Sequence, residues 1–164
     1  MIFKNPTARI ALALALAVLI GLGAGADAAC PKAPQPPLRT APLTVETLRG
    51  AFDFTVELAT TEAERSCGLM RRPRLKPEEG MMFRQDPPGP AYFWMKDTPQ
   101  PLDILFLDAE GRVLHFVTHT TPYSTGIYGA QLPIAAVLEL RAGSSARMAL
   151  EIGDRVRHAW FATD

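Results

Sequence analysis

A short and almost uninterrupted run of apolar residues, 102–108, constrains the fold of this chain more than any other segment. A strand that is apolar on both faces must be covered on both faces, as in the middle of a sheet. Just before it, residues 93–98 combine Phe, Trp, Met, Lys, Asp and Thr. The aromatic and methionine side chains are typical of a core, whereas Lys96 and Asp97 indicate a polar site at its rim. The two segments therefore predict a buried strand with a candidate site at one end.

The rest of the chain has the patterns of a β domain. Residues 52–58 alternate between apolar and polar side chains, as in a half-buried strand. Further strands are predicted at residues 43–48, 80–83, 91–95, 113–118, 136–140 and 156–160 or 161, with turns at 87–90 and 109–111 and a polar loop at 119–132. One helix is expected to begin at Thr61, which forms a capping box with Glu64, and to end before Pro73. These patterns predict a mainly β fold: a compact antiparallel sandwich or small barrel with one or two short helices.

The N-terminal segment predicts where the protein goes. Two basic residues precede an apolar run at residues 10–22, and residues 26–28 form a cleavage site of the A-x-A type. This order is typical of a secretory signal peptide over residues 1–28, because the run is short for a membrane span. A retained membrane anchor is the alternative. We therefore expect a periplasmic or secreted protein with a single β domain at residues 43–164.

The two cysteines, Cys30 and Cys67, leave three possibilities open. An oxidising compartment permits a disulfide between them. However, Cys30 lies in a Pro-rich segment, and residues 29–42 are expected to form an extended, disordered tail. Small residues before Cys30 fit a lipoprotein cleavage site, which would give a lipid anchor there, although Asp27 replaces the expected apolar residue. The third possibility is that the cysteines are free, with Cys67 as a small buried residue.

The charge balance excludes one class of partner. The chain has 17 basic and 17 acidic residues, and its formal net charge at pH 7 is zero. Residues 71–74 form the one basic cluster in the sequence. A nucleic-acid ligand is therefore not expected. An unknown small ligand or an envelope protein is the expected partner.

Metal binding has to be considered, because thioethers and imidazoles bind copper in exported proteins. The available side chains are Met70, Met81, Met82, Met95, His115 and His119. However, Met81 and Met82 are neighbours in a predicted strand and point to opposite sides. The sequence also contains no short metal-binding motif. We therefore expect the methionines to fill the core, and we predict neither a metal nor a cofactor.

Several motifs in a fixed order resemble those of the domain of unknown function 192 family. They lie at residues 57–59, 64–65, 68–70, 80–83, 93–96 and 98, 101–104, 137–140 and 143, and 153–156. The resemblance extends over residues 43–161. It implies a compact, mainly β fold that is often exported in bacteria and archaea, and it implies no established reaction. Cys67 stands where a polar or basic residue is more usual in the family, which argues against a family-wide mechanism that depends on cysteine.

Six residues are candidates for ligand binding: Arg65, Trp94, Lys96, Thr98, Asp103 and Glu139. Asp103 begins the buried strand, so its carboxylate needs a partner, for which Lys96 and Arg65 are available. Alternatively, Asp103 caps a turn or forms a buried ion pair with no role in function. Simple alternation predicts that Glu139 points outward, unless its strand turns it toward Asp103. No catalytic residue is assigned.

Two hypotheses of different classes follow. The first is a non-catalytic envelope module whose pocket near Trp94, Lys96 and Asp103 holds a small ligand or a partner. The alternative is a hydrolase of envelope carbohydrate, or of a similar substrate, acting through Asp103 with Glu139 or Arg65. The first is preferred because the sequence shows no activated nucleophile and no site for a metal-bound water. In a third possibility, the polar loop binds a partner protein.

Overall fold

The computed structural model of the protein describes residue 30 and residues 32–161. The predicted signal peptide at residues 1–28 lies outside the described residues. The elements follow one another as β1 (Thr40–Thr47), β2 (Gly50–Ala59), α1 (Glu62–Cys67), β3 (Glu79–Phe93), β4 (Leu102–Leu107), β5 (Val113–Val117), β6 (Tyr128–Arg141), α2 (Ser144–Met148) and β7 (Arg155–Arg157). No helix within the described ranges is long and apolar enough to cross a membrane.

The strands form one curled sheet in the order β5-β4-β6-β3-β2-β1-β7, and the sheet makes a half-barrel. Neighbouring strands are antiparallel except β2 and β3, which α1 connects and which run parallel. A bridge between Arg112 and Arg155 brings β7 back toward the β4–β5 hairpin. The prediction of a mainly β fold with short helices is confirmed. The curvature gives a partial barrel rather than a two-sheet sandwich.

Both faces of the sheet are covered by apolar side chains. One face carries a core that includes Leu138 and Leu140, here named the Leu138 core, and the other carries a core that includes Val137, named the Val137 core. All six residues of β4 are buried, as its apolar sequence predicted. Met81 and Met82 point into different cores, because successive strand residues face opposite sides. The methionines of β3 are thus core residues, as expected.

Helix α1 begins as the sequence predicted and ends earlier. Thr61 accepts a hydrogen bond from the Glu64 N–H at 3.2 Å, and the Glu64 carboxylate accepts one from the Thr61 N–H at 2.8 Å. The capping box is therefore confirmed. The helix ends at Cys67 rather than before Pro73, because Gly68 adopts a positive φ of 45° and donates its N–H back to the Glu64 carbonyl. A glycine in this conformation commonly ends a helix.

Three strand boundaries differ from the sequence prediction. Strand β3 is continuous, so residues 87–90 are an irregular stretch of one long strand rather than a turn between two. The pairing of β3 with β6 shifts register there, and the bond between Asp86 and Pro87 is cis. Strand β6 begins at Tyr128, so the polar loop is shorter than predicted. Strand β7 ends at Arg157, since only three of its residues pair with β1.

The Pro-rich segment, which we expected to be a disordered tail, contacts the domain. The side-chain amide of Gln35 donates to the carbonyl of Gly68 at 2.7 Å. The N–H of Leu38 donates to the Glu57 carboxylate at 2.6 Å. Strand β1 also begins at Thr40, before the expected domain boundary. Side-chain acceptors and donors on the domain therefore hold a segment that composition alone suggested was free.

A disulfide joins Cys30 to Cys67 across 37 positions of the sequence. It corrects the possibility of free cysteines. A Cys30 sulfur in this bond is also not available for a lipid thioether. The bond attaches the Pro-rich segment to the C-terminal end of α1, beside the candidate site described below.

Reduction of this disulfide is expected to lower the free energy of unfolding by about 3 kcal/mol. A cross-link over 37 positions restricts the unfolded chain, which the chain-entropy model values at up to about 4 kcal/mol. Urea denaturation with and without reductant measures the difference. The double variant Cys30→Ser, Cys67→Ser should match the reduced protein and ignore reductant. A change below about 0.5 kcal/mol would contradict the expectation.

Candidate functional site

Asp103 is fully buried near the start of β4, and backbone groups satisfy its carboxylate. Its Oδ1 accepts the N–H of His119 at 3.0 Å, and its Oδ2 accepts the N–H groups of Gly143 at 3.1 Å and Ser145 at 2.8 Å. Gly143 is the N-cap of α2, so the carboxylate caps this helix from a strand. Asp103 therefore has a structural role, which the sequence left open as an alternative. Its partners are backbone N–H groups rather than the predicted Lys96 or Arg65.

Asp103 and Glu139 lie on opposite faces of the sheet. In the β4–β6 pairing, Asp103 stands opposite Leu140, and Ile104 stands opposite Glu139. Directly opposed residues of an antiparallel pair point to the same face. Leu140 belongs to the Leu138 core and Ile104 to the Val137 core. The two carboxyl groups therefore cannot act together on one substrate, and the pairing suggested from the sequence is wrong.

Glu139 is the buried ionisable group of the candidate site. It is 4% exposed, and its strand neighbours on the same face are Met81 of β3 and Ile104 of β4. Its carboxyl group makes no hydrogen bond or ion pair to any residue in the described part of the chain. Burial raises the pKa of Glu139 to about 8. Alternation predicted that Glu139 points outward into solvent. That prediction is wrong, because apolar side chains cover both faces of β6 and the residue is buried.

Glu139 lines a small cavity between α1 and the sheet. The cavity has a volume of about 30 Å³, which is room for one or two water molecules. Its walls are Arg65, Ser66, Cys67, Gly68, Leu69, Met70, Phe83, Phe93, Trp94 and Thr98. A carboxyl group without a partner at the wall of a cavity is able to form a hydrogen bond or an ion pair with a polar group that enters it.

Two local features keep this cavity in shape. Gly68 lets α1 approach β3 closely, since a Cβ at this position would lie 3.3 Å from the ring of Phe83. Thr98 is held through its backbone, with its N–H donating to the carbonyl of Met95 at 3.0 Å and its carbonyl accepting the N–H of Tyr123 at 3.1 Å. The cavity is therefore bounded by fixed backbone on two sides.

The cavity adjoins a wider groove of about 490 Å³ between α1 and β3. The two share five lining residues: Arg65, Ser66, Phe83, Phe93 and Trp94. The rim of the groove carries charges of both signs, Glu62 on the helix side and Arg84 with Asp86 on the strand side. A groove of this volume fits a small organic ligand.

Trp94 forms the exposed aromatic wall of both spaces. Trp94 is 43% exposed, and the Lys96 Nζ lies 5.1 Å from the centroid of its ring. Tyr92 is also exposed and lines the groove, while Met95 is fully buried. Exposure therefore alternates along residues 92–96, as in an extended chain.

The arrangement suits binding through one acid. With its pKa near 8, the Glu139 carboxyl group holds a proton at neutral pH and can donate a hydrogen bond. Once a cation is beside it, the same group can lose that proton and form an ion pair. Among the described residues, no second carboxylate lines the small cavity. Within the described ranges, no group of three or more His, Cys, Asp or Glu side chains could hold a metal ion.

The family model of the domain of unknown function 192 (DUF192), described as an uncharacterised ACR, matches residues 44–158. The chain belongs to this family. The resemblance drawn from the motifs is thereby confirmed, and the match includes Glu139 and every other lining residue of the two cavities. No curated protein matches the chain.

Solved structures with the same fold include two bacterial proteins. A Sinorhizobium meliloti 1021 protein that has been proposed to regulate transcription is 34% identical, with a TM-score of 0.74, over 77% of this chain and 99% of its own. A Novosphingobium aromaticivorans DSM 12444 protein of unknown function is 41% identical, with a TM-score of 0.73, over 80% of this chain and 95% of its own. Both are similar to this chain in fold over most of its length.

In this DUF192 domain, four of the six candidate residues meet at one cavity: Arg65, Trp94, Thr98 and Glu139. Lys96 lies beside it, over the ring of Trp94, and Asp103 is on the other face of the sheet. Phe83 and Phe93 also line the cavity but were not among the residues predicted from the sequence. Both belong to motifs shared with the family, and these motifs could have indicated them.

Proposed function

We propose that this protein is a non-catalytic binding module that holds a small ligand in the groove between α1 and β3. One observation carries the proposal: Glu139 is buried, has no partner among the described residues and lines a cavity that adjoins an open groove. Burial of an unsatisfied carboxyl group costs free energy. Such a cost is understandable where a ligand supplies the missing partner.

Binding is favoured over hydrolysis for a geometric reason. Glycoside hydrolysis usually needs two carboxyl groups on either side of the scissile bond. Asp103 is turned to the other face of the sheet and occupied by three backbone N–H groups. Arg65, the other suggested partner, donates to the carbonyl of Thr60 at 2.6 Å. The small cavity therefore has Glu139 as its acid for orientation and aromatic walls for contact, while the acids of the groove, Glu62 and Asp86, line the wider space beside it.

We further propose that the module works outside the cytoplasm, in the periplasm or as a secreted protein. The proposal rests on the signal-peptide pattern at residues 1–28. The disulfide between Cys30 and Cys67 is compatible with it, because such bonds persist mainly in oxidising compartments.

Fragment screening by NMR of the purified protein tests the binding proposal. We expect fragments to shift the backbone amide signals of α1 and of residues 93–98, in clusters around Glu139. Trp94→Ala should lower the affinity about tenfold, because it removes an aromatic wall of both cavities. Tyr123→Ala is the matched control, since Tyr123 is 63% exposed and lines neither cavity.

Two outcomes would contradict the binding proposal. In one, fragments shift signals scattered over the surface or clustered away from the groove. In the other, Trp94→Ala and Tyr123→Ala reduce the affinity equally, which would show that the fragments do not bind in this groove.

A further inference from the structure

Building on the proposed function, we propose that the group of the ligand that enters the cavity is an organic cation, a substituted ammonium. It would rest between the carboxylate of Glu139 and the aromatic rings of Phe83, Phe93 and Trp94. The walls of the cavity, its charges and its size each support this class of ligand.

The charges around Glu139 leave a position for one positive charge. On the sheet, its neighbours of β3 and β4 are the apolar Met81 and Ile104. From the 94–98 segment, Trp94 and Thr98 line the cavity, and neither carries a charge. Lys96 of the same segment lies over the Trp94 ring, 5.1 Å from its centroid, and forms no ion pair with Glu139. From α1, Arg65 is, among the described residues, the one charged residue of the lining besides Glu139. Its guanidinium is bound to the Thr60 carbonyl and forms no ion pair with Glu139.

The aromatic walls complement a cation in the same place. Phe83 and Phe93 pack edge to face, with ring centroids 5.0 Å apart, and Trp94 completes the wall. Aromatic rings attract cations through their negative faces, and cages of such rings bind alkylated ammonium groups. Trp94 already takes part in one such contact, with Lys96. A carboxylate next to several aromatic rings therefore selects an ammonium with apolar substituents over a strongly hydrated ion.

The volumes of the cavity and the groove indicate a ligand with a small head, which enters the cavity, and a larger body, which lies in the groove. The cavity of about 30 Å³ takes a group of one or two heavy atoms. The adjoining groove of about 490 Å³ takes the remainder. Because Arg65 and Arg84 line the groove with Glu62 and Asp86, the body can be polar or carry either charge.

Proton release should accompany binding. The pKa of Glu139 is raised to about 8, so the free protein carries a proton there at neutral pH. A cation favours the ionised carboxylate, so its binding displaces that proton. The affinity for a primary alkylammonium, whose own pKa of about 10 keeps it charged over this range, should therefore rise about tenfold per pH unit well below pH 8 and level off above it.

Titration calorimetry with n-butylammonium tests the proposal, because its nitrogen and first methylene are the two heavy atoms that the cavity can take. Butan-1-ol is the neutral analogue of the same length, and butanoate is the anion. We expect n-butylammonium to bind at pH 8.5, to bind more weakly at pH 6, and to exceed both other probes at least about tenfold. Glu139→Gln should remove this preference and keep the fold, because glutamine matches the size and the neutral charge of the protonated acid. Glu110→Gln is the control, since Glu110 is exposed in the loop after β4 and lines neither cavity, and it should bind n-butylammonium like the wild type.

The outcomes separate the ligand class from the proposed function. If the alcohol or butanoate binds as tightly as n-butylammonium, with sensitivity to Trp94→Ala, the cationic class is overturned and the binding function stands. Binding of n-butylammonium that is unaffected by Glu139→Gln or by pH overturns the cationic class as well. If no probe of any charge binds and fragment screening is also negative, both proposals fail.

Discussion

We expect Glu139 to remove about 5 kcal/mol of the free energy of unfolding as the pH rises from well below 4.5 to well above 8, and the Glu139→Gln variant to lack this loss. The pKa of Glu139 is about 8 in the folded protein and 4.5 ordinarily, because burial disfavours the charged carboxylate. At about 1.36 kcal/mol per pH unit, the interval corresponds to the stated loss. It is the largest effect that the structure predicts for a single ionisable group.

The sign of the effect follows from which state binds the proton more tightly. The folded protein does, since its Glu139 pKa is the higher one. The stabilisation is complete below pH 4.5, where both states are protonated, and it is lost as the pH passes through about 8. His158 acts in the opposite direction. Burial and the charge of Arg39 lower its pKa, so its contribution is lost as the pH falls.

Urea denaturation of wild type and Glu139→Gln at pH 5, 6, 7 and 8 measures the effect. The difference between the two curves isolates Glu139, because His158 and all other groups are common to both proteins. We expect the difference to change steadily in favour of the variant as the pH rises. Parallel curves, with a constant difference over this range, would show that Glu139 ionises normally and would remove the basis of the site.

The second large effect is expected at Asp103, where Asp103→Ala should cost about 5 kcal/mol of stability. Three N–H groups, those of His119, Gly143 and Ser145, donate to its carboxylate. The Ser145 N–H is buried and the other two are partly buried, and a buried donor left without a partner costs about 1–3 kcal/mol. Asp103→Asn should also destabilise, because its side-chain NH₂ would face at least one of these backbone donors.

Chemical denaturation measures the loss of stability, and circular dichroism shows whether each variant keeps the native fold. Asp53→Asn is the matched control, since Asp53 is exposed and accepts one hydrogen bond, from the Thr44 hydroxyl at 2.7 Å. The control should change the stability by less than about 0.5 kcal/mol. A stable Asp103→Asn protein that had lost an activity would contradict the structural role and restore Asp103 as a functional residue.

The two predictions assign different roles to two carboxyl groups that looked equivalent in the sequence. Both carboxylate oxygens of Asp103 accept hydrogen bonds from backbone N–H groups, so Asp103 is needed for the fold. Glu139 has free acceptors and destabilises the fold when it is ionised, which suits a residue kept for binding. A substitution at Glu139 should therefore leave a stable protein, whereas one at Asp103 should not.

Features that depend on neighbouring residues were predictable from the sequence. The capping box of α1 needs only Thr61 and Glu64, three positions apart. The burial of β4 follows from its apolar composition, and the exposure of Trp94 and Lys96 follows from alternation in an extended chain. The ordered motifs were sufficient to identify the family.

Features that depend on distant pairing were decided by the tertiary structure. Alternation places Glu139 on the opposite side from Leu138, but only the covering of both faces of β6 makes that side a core. Only the register of β4 against β6 separates Asp103 from Glu139. Only the folded path of the Pro-rich segment brings Cys30 to Cys67. The sequence by itself determined the strands, the helix start and the family, because local periodicity and capping act within a few residues. The tertiary structure alone decided which carboxyl group is satisfied and which is left for a ligand, because that depends on what the opposite strand and helix α1 place next to it.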